Sequence, residues 1–236
     1  MKTIIHKADA RGQADYGWLK TKYSFSFANY YNPDKINFGA LRVLNDDWVE
    51  GGQGFGRHPH DNMEIVTIVL DGDLEHKDSM GNTFLIRKNE VQVMSAGTGI
   101  FHSEYNKDPK NPLKLFQIWV FPNKKNVTPR YDQKLFLPKN RLNKWQRLVS
   151  PNEANTMWLH QDTYFSIASL DKNQELGYKL HTNGNGVYIF LIEGLINVGD
   201  VQLEKRDAIG IYETDNIAIK SSKNSEVLLI EVPMSF

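Results

Sequence analysis

Short runs of β-branched, aliphatic and aromatic residues recur along the chain, separated by Gly, Asn and Asp. Phe38–Leu44, Ile65–Leu70, Thr83–Ile86, Val91–Met94, Leu113–Phe121, Val187–Ile192 and Val227–Val232 each read as a strand. Branched and aromatic side chains suit the pleated, half-buried surface of a sheet. Asp46-Asp47, Asp71-Gly72 and Gly81-Asn82 read as tight turns. Helical periodicity is scarce. The best candidate is a short helix around Pro151–Ala154, with Ser150 as its cap and Pro151 at the first helical position. Many short strands at close spacing predict an all-β sandwich or barrel.

Two stretches repeat. Ile65–Gly72 (IVTIVLDG) resembles Val187–Gly194 (VYIFLIEG), an apolar run ending in an acidic residue and a glycine turn. Lys88–Met94 (KNEVQVM) pairs with Lys205–Ile211 (KRDAIGI). The repeat predicts two β-domains, 1–138 and 139–236, divided within the basic, polar segment Pro138–Arg147.

Composition narrows the function. Hydrophobic residues make up 40% and charged residues 24% of the 236, ordinary for a globular protein with a sizeable core. Twenty-eight basic residues balance 28 acidic ones, so no global charge favours nucleic acid or an anionic membrane. A local patch at Lys124, Lys125 and Arg130 is a candidate protein contact. The absence of cysteine excludes disulfides, thiolate zinc sites, iron–sulfur clusters and cysteine nucleophiles. The start, MKTIIHKADARG, is interrupted by His6, Lys7 and Asp9 before any signal-peptide core could form. No apolar run reaches the ~20 residues of a membrane helix. A soluble, cytoplasmic, monomeric protein is the expectation.

Two constellations carry chemistry. In Gly52–Glu64, His58 and His60 flank Pro59, which suits extended backbone. Residues i and i+2 of a strand face one side, so the two imidazoles project together. Alone, such a pair reads as two surface histidines before a strand. In Ser95–Asn106, His102 and Glu104 repeat the i, i+2 spacing after a glycine turn. Side by side, the two segments would converge three neutral nitrogens and one carboxylate, a donor set for iron, manganese, nickel, copper or zinc. Four protein ligands leave an octahedral ion two open positions, as catalysis requires.

Tyr23–Phe27, Gly54–His60, Glu64–Thr67, His76–Ser79 with Gly81-Asn82, and Ala96–Glu104 together resemble the two cupin motifs and, more narrowly, the pirin family. The similarity is greatest to short bacterial pirin-like proteins with quercetin 2,3-dioxygenase activity. It implies a bicupin: two jelly-roll-like β-barrels in one chain, with the metal in the first. It also implies that the Glu after the third His, here Glu104, is a ligand, leaving Glu64 in a supporting role. Glu64 is nevertheless the main rival ligand, since the sequence offers both carboxylates.

The implied cofactor is one divalent transition metal ion, iron foremost, with manganese, nickel, cobalt, copper or zinc as alternatives. The implied activity is cleavage of a flavonol such as quercetin with O2, Glu104 taking the substrate's hydroxyl proton. The competing reading is a metal-binding regulatory protein that works through protein partners, without direct contact to nucleic acid or membrane.

Other residues are read more simply. His76, Asp78 and Ser79 either orient the ligands or satisfy a turn. Phe38, Phe55, Met94, Phe116 and Trp119 line a slot for a flat ligand or belong to the core. His6, His160 and His181 read as structural or surface residues. Aligning the repeats places Leu180, Thr182, Ile219 and Ser221 opposite the four ligands, so the second barrel is expected to be metal-free.

Overall fold

The computed structural model describes all 236 residues, Met1 to Phe236. It contains 21 strands, two single-turn 3-10 helices (Ala8–Ala10 and Pro138–Asn140) and no α-helix. The first barrel pairs a seven-stranded sheet with a four-stranded one. The larger runs in the order Arg130–Leu135, Glu90–Ser95, Glu64–Asp71, Leu113–Val120, Leu41–Val49, Leu19–Tyr23, Gly12–Asp15. The smaller runs Gly54–His60, Ile100–Asn106, Asp73–Asp78, Thr83–Arg87. The second barrel repeats the plan with six strands and four, its large sheet centred on Asn185–Glu193 and Ser225–Pro233.

The large sheets pack on each other, which explains why their strands are continuously apolar. On Glu64–Asp71, Ile65 and Val69 face the interior of the first barrel, while Val66 and Ile68 join the inter-barrel core. On Asn185–Glu193, Val187, Ile189 and Leu191 face inward, whereas Tyr188, Phe190 and Ile192 face the first barrel. A strand buried on both faces loses its polar alternation. Phe116 and Phe190 meet edge to face at the centre of this interface, ring centroids 5.2 Å apart.

Four expectations change. Lys2–His6, placed with the first barrel by the division at 138, pairs antiparallel with Ala208–Tyr212 and extends the sheet of the second. Asp46 and Asp47 form no turn. They lie within the unbroken strand Leu41–Val49, where Asp46 meets Arg11 and Arg206 and Asp47 is buried. The strand begins three residues after Phe38, which makes only an isolated bridge to Leu41. Around Pro151–Ala154, Ser150 Oγ accepts the Glu153 N–H as a cap would, but no helix follows. The chain instead turns back, Met157 pairing with Leu148 and Ser150.

Candidate metal centre

The small sheet of the first barrel builds the site. Ile100–Asn106 lies between Gly54–His60 and Asp73–Asp78. His102 stands directly opposite His58 on one side and Asp78 on the other, and Glu104 opposite His76. Residues paired across antiparallel strands project to the same face, so His58, His60, His76, Asp78, His102 and Glu104 share the barrel interior. Opposite Ser103, between His102 and Glu104, the register shifts by an extra residue within Gly54–His60, where Gly56 and Arg57 face it, bending the strand that bears the two leading histidines.

The rings of His58, His60 and His102 converge, with centroids 4.3, 4.8 and 4.9 Å apart. Their ligand atoms lie within 4.8 Å of one another, and a second such group joins His102 and Glu104 with His76. His102 therefore belongs to both. His58 and His60 are half-buried, whereas His102 and Glu104 are buried, so the site opens on the side of the H-x-H pair. Burial lowers the His60 and His102 pKa values to about 4 and about 3, assisted by neighbouring imidazoles. Both rings are thus neutral at ordinary pH, the form that binds metal.

Hydrogen bonds occupy one end of several of these groups and leave the other free. His58 Nδ1–H donates to Gly56 O at 2.8 Å, directing Nε2 inward. Gln117 Nε2 donates to Glu104 Oε2 at 3.0 Å, while Glu104 Oε1 is buried without a partner. His102 Nε2 is likewise buried and unpartnered. Its Nδ1 lies 3.5 Å from His76 Nδ1, and His76 Nε2 lies 3.2 Å from Asp78 Oδ2. The carboxylate accepts from His76 Nε2–H, so His76 Nδ1 carries the lone pair and accepts from His102 Nδ1–H. Burial opposes the charge on Asp78, but hydrogen bonds from Asn82, His76 and the Met80 N–H outweigh it and hold this carboxyl below its usual range. Asp78 thus satisfies the turn and orients the imidazoles at once. Ser79 Oγ pins the same turn to the Phe101 N–H.

An orphaned buried nitrogen and an orphaned carboxylate oxygen are costly without a partner. A divalent cation satisfies both, so the residues present fit a metal. Glu64 does not take part. It shares the face of Val66 and Ile68, away from the barrel interior, where it accepts from Ser95 Oγ at 2.7 Å and from the His160 N–H at 3.2 Å. The period-two alternation of its strand removes the rival carboxylate.

Residues 5–120 match the pirin family, and residues 147–232 match the quercetinase C-terminal cupin domain. The chain is 41% identical over 230 residues to the quercetin 2,3-dioxygenase of Escherichia coli (strain K12), covering 97% of this chain and 98% of that one. The chain belongs to the pirin family. It is also 39% identical over 225 residues to a pirin-like protein of Caulobacter vibrioides, covering 94% and 96% of the two chains. Its fold superposes on the bacterial pirin YhhW of Escherichia coli in complex with nickel(II), with a TM-score of 0.93 at 40% identity over 98% of this chain and 99% of that one.

In this pirin the aromatic candidates divide. Trp119 stands edge to face with His60 at 4.9 Å and with Phe27 at 5.2 Å, walling the site. Met94 packs beside it with Ile65 and Ile100. Phe55 packs on Trp18, and Phe38 and Phe116 belong to the inter-barrel core. Arg130, expected in a surface patch, instead stacks on Trp158 at 3.8 Å and donates to its carbonyl. His6 is buried with Nδ1 2.9 Å from the Tyr188 hydroxyl, and His181 Nδ1 lies 2.9 Å from the buried Glu231.

Gln117 and Tyr131 join the site without belonging to either polar constellation of the sequence. Tyr131 packs 4.7 Å from His76. Gln117 had a signal: it is a polar residue in the apolar run Leu113–Val120, between Leu115 and Trp119 on the inward face.

Proposed function

We propose that this pirin is a metal-dependent dioxygenase that cleaves a flavonol such as quercetin with O2, its ion held by His58, His60, His102 and Glu104. The observation that carries the ligand set is the pair of orphaned buried atoms, His102 Nε2 and Glu104 Oε1, with His102 beside the His58 and His60 rings and grouped with Glu104. The name of the Escherichia coli relative supports the reaction, and the nickel(II) complex of the Escherichia coli pirin YhhW supports a transition metal. Iron is our first choice. Manganese, nickel, cobalt, copper and zinc also suit imidazole and carboxylate donors.

When bound, such an ion supplies a Lewis acid and template for the adjacent hydroxyl and carbonyl oxygens of the flavonol. This chain's own residues do the rest. The Gly56 carbonyl and the His76–Asp78 pair fix the orientation of His58 and His102, so that no rotamer search accompanies substrate arrival. Gln117 anchors Glu104 through Oε2, leaving Oε1 to hold the ion and, when it loosens from the ion, to take the hydroxyl proton. Trp119 and Phe27 offer apolar walls to a flat ring, and the half-buried His58 and His60 mark the open side.

Oxygen uptake tests the proposal. Protein reconstituted separately with iron, manganese, nickel, cobalt and copper is mixed with quercetin in an oxygen electrode. The expected result is stoichiometric uptake with release of carbon monoxide from at least one form. No uptake from any form, with metal shown to be bound, would leave the regulatory reading.

A further inference from the structure

Across the seven-stranded sheet from the metal centre, a cleft of about 500 Å3 opens between the two barrels. Its floor is aliphatic. Ile68, Leu70 and Val91 come from the first barrel, and Leu148, Ile167 and Ile192 from the second. These residues lie at the edge of the inter-barrel core. The cleft above them opens to solvent and has the size of a small-molecule site.

The lining above that floor is cationic. Lys88, Lys114, Arg141, Lys205 and Arg206 stand against three carboxylates, Asp71, Glu193 and Glu226. The three acids are each engaged: Asp71 with Lys88 at 3.4 Å, Glu193 with Lys205 at 2.7 Å and Glu226 with Arg141 at 2.7 Å. Arg206 turns to Asp46, which it shares with Arg11, so two guanidiniums divide one carboxylate. Lys114 is exposed and makes no ion pair. Arg141 Nε and Arg206 Nη1 are both buried without a hydrogen-bond partner. An apolar floor beneath surplus positive charge complements one kind of small molecule.

We propose that this cleft binds an amphipathic organic anion, its apolar body on the aliphatic floor and its carboxylate or sulfonate toward Lys114 and the guanidiniums. Because the floor comes from both barrels, the bound anion joins them and stabilises the folded state by mass action. The site is separate from the metal centre and requires no metal.

The test uses full-length protein stripped of metal with a chelator, with 1-anilinonaphthalene-8-sulfonate as the fluorescent probe. The expected result is saturable binding at one site per chain, with displacement by 2-naphthoate at least about tenfold stronger than by the uncharged 2-naphthalenemethanol. Lys114→Glu reverses an exposed charge and is expected to weaken probe binding by about tenfold or more without lowering Tm. Ile192→Trp fills the cleft and is expected to abolish binding, its fold checked by circular dichroism. Nonsaturable binding, equal displacement by alcohol and acid, or unchanged affinity in Lys114→Glu would overturn the proposal, whether or not Ile192→Trp folds.

Discussion

His102 Nδ1 lies 3.5 Å from His76 Nδ1, and behind His76 stands Asp78 at 3.2 Å from Nε2. A carboxylate thus fixes the tautomer of one buried imidazole, which fixes the tautomer of the next. The end of the series is the unpartnered Nε2 of His102.

Removing that support is expected to weaken metal binding without unfolding the barrel. His76→Leu keeps the volume apolar but withdraws the acceptor from His102 Nδ1. Loss of a hydrogen-bonding partner behind a metal-binding histidine typically costs about 10–100-fold in metal affinity. Competition with a chromophoric chelator measures the change, and circular dichroism checks the fold. An affinity equal to the parent's would remove His76 from the ligand-orienting role.

The two carboxylates are separated by sheet face, and their substitutions should separate as well. Glu104→Gln is expected to lose most of the metal found by elemental analysis, whereas Glu64→Gln retains it. Glu64→Gln should instead disturb the contacts to Ser95 and the His160 N–H, lowering Tm by a few degrees. The opposite order of metal loss would reassign the ligand.

Asp47 predicts a pH dependence of stability. Burial pushes its carboxyl up to about 7, with the charges of Asp46 and Glu104 adding to the shift. The folded protein therefore retains a proton that the unfolded chain releases near its ordinary value of 3.8. Stability from this group is greatest below that value and is lost as pH rises toward 7, by up to about 4 kcal/mol. Asp47→Asn should flatten this slope in urea titrations of the metal-free protein between pH 4 and 8. An unchanged difference between variant and parent across that range would place the Asp47 titration elsewhere.

Phe190→Ala is expected to destabilise the protein by about 3–5 kcal/mol, since it empties the centre of the inter-barrel core opposite Phe116. Chemical denaturation would measure this, and a cost below 1 kcal/mol would mean that the barrels do not depend on their shared face.

Deleting residues 1–6 removes the strand that covers Ala208–Tyr212 and the buried contact of His6 with Tyr188. An uncovered strand edge recruits other chains. Lower Tm together with concentration-dependent association on size exclusion is the expected result. A monomer of parental stability would show that the exchanged strand is dispensable.

The strands were legible because their composition is local. The pattern of Ile65–Leu70 predicts a strand where Glu64–Asp71 forms, and that of Val187–Ile192 one where Asn185–Glu193 forms. The pair His58 and His60 was legible for a related reason, since alternation along one strand needs no knowledge of its neighbours. Asp46-Asp47 misled because two acidic residues look like a turn. The guanidiniums of Arg11 and Arg206 that accommodate Asp46 come from 35 and 160 positions away in sequence.

The sequence by itself determined which side chains share a face of each strand, hence an all-β chain with two polar pairs and a repeated apolar pattern. It left open which face becomes an interior and which strand lies beside which. Those are decided by long-range pairing, because hydrogen bonds between strands and burial of the second face form only on assembly. Tertiary structure alone turned Glu64 toward the other barrel, set His76 and Asp78 behind His102, brought Gln117 to Glu104 and carried Lys2–His6 into the second sheet. In each case the deciding partner is remote in the chain or on an adjacent strand, where no local pattern can register it.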